Sequence, residues 1–332
     1  MKRSRPAVCL LFVLAVSAVY GQNTRSAVSV NGSDANPCTV PQPCRTFGAA
    51  LAVTNAGGEV LALDSGGYGP FTINRSVRVR AIPGAYAGIA PSSGNAIFIN
   101  AAAGDSVIVA GLTLTSTGAS YGILVTNVGA LFIQNVEVSG FGGYGLQFGS
   151  TSATHLYIDD SAFRGNGGTC CAAVGIVPGS SGGKASLDHV RLENGYGGLY
   201  VREYTQVTMR NSSVVGNSSY GVFAGSVPAA TTAELNIIDS VISNGSDGIK
   251  ANCCGAYSGN PIVSITGSLI SNNTGAGVDA EDLGTIRVSS TTLTRNGVGV
   301  QASGTGVTIS FSNNALHGNA TDGAFTQTVT LK

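Results

Sequence analysis

The sequence predicts an all-β fold, a right-handed parallel β-helix of about ten coils with a short N-terminal capping helix, and three observations carry that prediction. First, a phrase of glycine, apolar, variable, then small or apolar residue recurs. It appears as Gly122-Ile-Leu-Val, Gly145-Leu-Gln-Phe, Gly175-Ile-Val-Pro, Gly198-Leu-Tyr-Val, Gly221-Val-Phe-Ala, Gly248-Ile-Lys-Ala, Gly277-Val-Asp-Ala, Gly299-Val-Gln-Ala and Gly323-Ala-Phe-Thr. Its spacing runs from 22 residues (Gly277 to Gly299) to 30 (Gly145 to Gly175), as expected of a fixed strand joined by loops of varying length. Second, each interval holds an apolar-x-apolar segment, such as Leu131-Phe-Ile, Leu156-Tyr-Ile, Val207-Thr-Met, Leu235-Asn-Ile, Val263-Ser-Ile and Ile286-Arg-Val, whose period of two puts one face in and one out. Third, aligned coils place Gly111, Asn135, Asp160, His189, Asn211, Asp239 and Gly267 in one turn column, the residue types that best tolerate a left-handed backbone.

The elements follow in order. Residues 1–21 read as a secretory signal: Lys2, Arg3 and Arg5 are basic, residues 7–19 are apolar but too short to span a bilayer, and small residues precede the break after Gly21. Cys9 lies at the start of the apolar run, where it cannot serve as a lipoprotein anchor. The mature chain is therefore expected to be secreted, extracellular or periplasmic, with no membrane partner. Residues 22–75 form an N-terminal cap, beginning with a loop stapled by Cys38 and Cys44. Within it, residues 45–55 suggest a helix with Phe47 and Leu51 four apart, halted by Gly57 and Gly58. Strands follow at 59–63, around Phe71 to Ile73 and around Val77 to Val79, and residues 76–332 form the β-helix. Asn166, Asn217, Asn273, Asn296 and Asn319 make a second column, expected to satisfy one another's amides as a ladder. The final coil ends without a capping helix, an open edge through which the chain could form oligomers.

Six cysteines remain after the signal, an even number that favours disulfides in an exported protein. Cys170-Cys171 and Cys253-Cys254 stand three coils apart, too far to bridge at about 4.8 Å per coil, so each adjacent pair is expected to close on itself. Charged residues are 10% of the chain, 17 basic against 17 acidic. That balance gives no general electrostatic footprint for nucleic acid.

A stapled segment, a capping helix, the run GGEVLALDSGGYGPFTINRSVRVRA and then repeating coils together resemble the opening of pectin-lyase-like right-handed β-helix proteins over residues 30–330. That superfamily spans lyases, hydrolases, epimerases, esterases, phage spikes and non-catalytic surface proteins, so the resemblance implies a fold more firmly than an activity. The signatures Asn-Thr-Asp, Gly-His-Gly, Arg-Ile-Lys and Asp-Pro-Asp-His are absent, as are Gly-Gly-x-Gly-x-Asp calcium repeats.

Asp159-Asp160 and Asp188-His189 look catalytic in isolation, yet Asp160 and His189 belong to the turn column. Arg164, Arg191 and Glu193 beside them read as a surface ion-pair patch. The outward positions of the glycine strands are Leu124, Gln147, Val177, Tyr200, Phe223, Lys250, Asp279, Gln301 and Phe325, with Arg202, Asn252 and Glu281 two residues further on. Tyr200 and Phe223 suit pyranose faces, and Asn252 and Gln301 suit hydroxyls; the long loops over 225–232 and 252–261 would wall a groove. By resemblance to related lyases, Lys250 is the base and Arg202 the charge neutraliser, while Asp279, Glu281 and Asp282 are calcium ligands; a hydrolase would instead use Asp279 and Glu281. The sequence requires no cofactor and admits calcium. Three readings stand: a secreted polysaccharide-recognising β-helix, a lyase or glycoside hydrolase acting on acidic polysaccharide, and a structural or adhesive surface protein.

Overall fold

The computed structural model describes residues 23–152, 154–179, 182–225, 231–252 and 259–330. The signal segment and Cys253-Cys254 lie outside them. Each coil contributes one strand to each of three parallel sheets, of 13, 11 and 11 strands. One coil runs Ala130–Gln134, Glu137–Ser139, Leu146–Phe148, and the next begins at Thr154–Asp159, hydrogen-bonded to the first. The apolar-x-apolar segments form the 13-stranded sheet and the glycine phrases an 11-stranded one, here called the glycine sheet.

The core follows from the alternation. Ile97, Ile123, Leu146, Val174, Leu199, Val222, Ile249, Val278 and Val300 stack in register down the glycine sheet and are all buried. The repeating glycine has a steric cause. A Cβ on Gly122, Gly145, Gly198, Gly221, Gly248, Gly277 or Gly299 would come within 3.0 Å of the carbonyl oxygen of Gly145, Ala173, Gly221, Gly248, Gly277, Gly299 or Asp322, respectively, in the next coil.

The turn column is observed as predicted: Gly111, Asn135, Asp160, His189, Asn211, Asp239 and Gly267 have φ between 47 and 64°, and Ser290 extends the column at 49°. The residue after each is buried and most often a hydroxyl. Ser212 Oγ accepts from Val190 N at 3.1 Å and donates to Arg210 O at 2.6 Å; Ser240 Oγ accepts from Ser212 N and donates to Ile238 O; Ser268 Oγ repeats the pattern. This hydroxyl ladder runs unbroken from Ser212 to Thr291, with Ser161 repeating the pattern beyond the interruption at Val190, and was not anticipated.

The asparagine column differs from expectation in part. Asn273, Asn296 and Asn319 do form a side-chain ladder, at 3.0 Å per step. Asn166 and Asn217 instead bond backbone: Asn217 accepts from Gly195 N and donates to Leu192 O, both at 3.0 Å. In those coils the register position between neighbours is Gly195 or Gly245, which has no side-chain amide and offers only its backbone N–H.

At the N-terminus Cys38 and Cys44 are bonded, and Asn23–Val28 forms an unpredicted first strand of the 13-stranded sheet. The helix is only Phe47–Ala52, capped by Thr46 Oγ1, which accepts from Ala49 N; Thr54 and Asn55 already belong to the Thr54–Ala62 strand. Phe47 is buried against Tyr68 and Phe71, with ring centroids at 5.3 and 4.8 Å. Among the described residues no helix is long and apolar enough to cross a membrane.

Candidate ligand-binding face

The register of the glycine sheet fixes its outward column as Leu124, Gln147, Gly175, Tyr200, Phe223, Lys250, Asp279 and Gln301. Two expected members are corrected. Gly175, not Val177, stands between Gln147 and Tyr200, because Ala173 occupies the place of the repeating glycine in that coil. Gly323 lies opposite the buried Val300, so Phe325 falls outside the column. The long interval from Gly145 to Gly175 was the mark of this slip.

Tyr200 and Phe223 are neighbours as predicted, ring centroids 5.4 Å apart. The aromatic patch around them is larger than the sequence suggested. Tyr220 meets Phe223 at 5.5 Å, Tyr196 meets Tyr220 at 6.3 Å, and Tyr121 stacks on Tyr144 at 6.3 Å. Glycines give these rings their floor: a Cβ on Gly175 would strike the Tyr144 ring, and one on Gly197 the Tyr220 ring. Burial, then the proximity of Tyr200 and Tyr121, pushes the Tyr144 hydroxyl up to about 12, and burial likewise raises Tyr220. The missed signal is the tyrosine just before the repeating glycine, at Tyr121, Tyr144 and Tyr220.

The polar end of the column is an ion-paired network in which Asn252 Oδ1 and Asp279 Oδ1 are buried without a hydrogen-bond partner. Lys250 Nζ lies 2.8 Å from Glu281 Oε1 and 3.5 Å from Asp279 Oδ2, and Asn252 Nδ2 donates to Glu281 Oε2. The Asp279 side chain is 4% exposed. Burial, reinforced by its contact with Glu281, pushes its carboxyl up to about 6. Burial opposes charge on Glu281 too, but Lys250 and Asn252 bring that carboxyl below its ordinary value. Lys250 is likewise raised against burial by Glu281 and Asp279. An ammonium held in this way is a poor proton acceptor.

Arg202 stands apart. Val201 pairs with Ala224 and Gly225 with Asn252, which leaves Arg202 two coils from Asn252. Its Nε lies 2.9 Å from Glu203 Oε2 without hydrogen-bond geometry, and its charge is felt at Tyr144. Asp282 turns away at φ 49°, and Asp279, Glu281 and Asp282 do not bring three oxygens within 4.8 Å of one another. Gln301 is exposed opposite Asp279. Residues 226–230 and 253–258 of the expected loops lie outside the described residues. Cys170 and Cys171 are bonded to each other.

Elsewhere, Arg164 bridges Glu137 and Glu193, and among the described residues Arg191 takes no part in an ion pair. Asp159, Asp188 and His189 do converge within 4.8 Å, but Arg210 holds Asp188 Oδ2 at 2.7 Å and Asn211 holds Oδ1 at 3.0 Å. Those oxygens are engaged as anion partners and the Asp188 carboxyl is lowered, burial notwithstanding, by Asn211 and Arg210.

Comparison with known proteins places this geometry. A family model described as a right-handed beta helix region matches residues 95–260 and 173–329. No curated protein matches the sequence. Among solved structures the chain is similar to an alginate lyase from Paenibacillus sp. (13% identity, 85% of this chain and 98% of that one, TM-score 0.57). It is also similar to the pectate lyase Pel9A (15%, 88% and 76%, 0.52) and to the Dettilon tailspike protein (13%, 92% and 68%, 0.58). At these identities the likeness is one of fold. The family match spans most of the repeat region, and the chain belongs to the right-handed β-helix family, with a pectin-lyase-like fold.

Proposed function

We propose that the protein is exported and recognises polysaccharide on the outward face of its glycine sheet, with the stapled loop and the Phe47–Ala52 helix closing the first coil. The observation that carries this reading is the aromatic patch of Tyr144, Tyr200, Phe223 and Tyr220, which runs directly into the Lys250, Glu281 and Asn252 network. Flat rings on a glycine floor suit sugar faces, and the adjoining cation, carboxylate and amide suit hydroxyls. Solved relatives in fold include proteins named as polysaccharide lyases, which supports the ligand class.

The test is retention of the purified chain on pectate, alginate and hyaluronan, with and without calcium. Tyr200→Ala combined with Phe223→Ala is expected to abolish retention. Full retention in that double variant sinks the assignment, and no retention on any glycan favours a structural or adhesive role.

A second reading rests on the two carboxyls that meet at Lys250 Nζ, Asp279 at 3.5 Å and Glu281 at 2.8 Å. Burial raises the first while Lys250 and Asn252 lower the second, which divides them into an acid and a base, the roles that glycoside hydrolysis uses. Under this reading Asp279 donates a proton to the leaving oxygen and Glu281 acts as base or nucleophile. Reducing ends should appear with the wild type and vanish in both Asp279→Asn and Glu281→Gln. Unsaturated products would instead point to elimination, for which the protonated Lys250 is poorly suited.

A further inference from the structure

The outward face of the 13-stranded sheet carries a trough that the glycine-sheet reading does not use. Its floor is a coil of small residues, Gly182, Gly183 and Ser186, from which Lys184 alone rises between His155 and Gln206. On one side the neighbouring coil presents His155 and Tyr157; on the other stand Tyr204, Gln206 and Thr208. Coils two steps apart are about 9.6 Å from each other, and the floor from Gly182 to Ser186 is about 13 Å long. Depressions of about 390 and 560 Å³ share His155, Lys184 and Gln206 and so form one channel.

Two details mark the trough as more than a gap between side chains. Tyr157 stacks one face on Phe132, centroids 4.7 Å apart and planes within 9°, and its neighbour on the other side is Ser186, so that face is left open. Tyr157 is 39% exposed and Tyr204 40%. Tyr204 is held at φ 60°, a left-handed conformation unfavourable to a bulky residue.

The lining mixes donors and acceptors, and Lys184 and Glu234 offset each other in charge. We propose that this trough is a second carbohydrate site and binds a neutral oligosaccharide. Tyr157 is its stacking platform, Tyr204 closes the far end, and Lys184, Gln206 and Glu234 bond sugar hydroxyls. The site stands independently of the glycine sheet.

The test titrates the full chain with cellohexaose, xylohexaose, mannohexaose and maltohexaose by calorimetry and, for the wild type and the alanine variants, also by tyrosine fluorescence, which no native tryptophan obscures. At least one is expected to bind. Tyr157→Ala should weaken it about tenfold, Ser186→Trp should abolish it by filling the trough, and Tyr86→Ala, at another exposed tyrosine, should leave it unchanged. Absence of binding by all four sugars overturns the proposal. So does wild-type affinity in a Ser186→Trp variant whose melting curve matches the wild type. Should Ser186→Trp fail to fold, unchanged affinity in both Tyr157→Ala and Gln206→Ala overturns it instead. Loss of the neutral sugar in Tyr200→Ala with Phe223→Ala, but not in Ser186→Trp, moves the site to the glycine sheet and likewise rejects the trough.

Discussion

Asp279 puts a pH signature on the glycine sheet. Its folded carboxyl titrates near 6 where an ordinary aspartate titrates near 3.8, so between those values the folded chain binds the proton more tightly than the unfolded one. Stability supplied by that proton is fully present below about 3.8 and is lost as pH rises through about 6. Melting temperature of the wild type, taken relative to Asp279→Asn, should therefore fall from pH 4 to pH 6.5; a flat difference would contradict the buried, Glu281-coupled carboxyl. Glycines of the two kinds should separate just as cleanly. Gly221→Ala drives a methyl into Gly248 O and the Ile242 side chain and should cost about 1–3 kcal/mol in chemical denaturation. Gly175→Ala faces outward beneath the Tyr144 ring, and its expected effect is displacement of that ring and loss of glycan retention. Equal destabilisation by both would deny the difference between core-facing and ligand-facing glycine.

Strands and turns were legible wherever the side chain alone dictates the backbone. The turn column could be read because Asn, Asp and Gly tolerate φ near 50°, and the alternating segments because burial has a period of two. The hydroxyl ladder was missed because serine is common in any loop; only the register shows Ser240 Oγ receiving Ser212 N from the coil before. The slip at Gly175 arose because Ala173 can stand where glycine usually does, and the two-coil separation of Arg202 from Asn252 was hidden because counting residues does not count coils. Asn217→Ala removes both partners it serves, leaving Gly195 N–H and Leu192 C=O buried and unpaired. A loss of about 2–4 kcal/mol is expected by urea denaturation. A loss near zero would mean that water replaces the amide in this corner.

Over the whole molecule, contacts run only between successive coils, so stability adds up coil by coil. The strands Thr321–Gly323 and Gln327–Thr328 are exposed, while Gly197–Val201 and Tyr220–Gly225 are largely buried. Hydrogen exchange should therefore release the amides of the former well before those of the latter; uniform exchange would indicate one all-or-none unit. The corners of the coil differ in a way that bears on how such a chain can change. From Ala130–Gln134 to Thr285–Ser289 two residues always separate the 13-stranded sheet from the next, as in Asn135-Val136, His189-Val190, Asn211-Ser212 and Asp239-Ser240, locked by a left-handed residue and the hydroxyl ladder. The corner leading out of the glycine sheet varies, with two residues after Asn127, three after Val201 and six after Ile176. New sequence can enter the molecule cheaply along that seam, which borders both the Tyr200 face and the Tyr157 trough. A peptide insert after Glu203 should be accommodated where the same insert after Asn211 unfolds the chain, which makes this edge the natural place for lineages, or engineers, to write a new specificity.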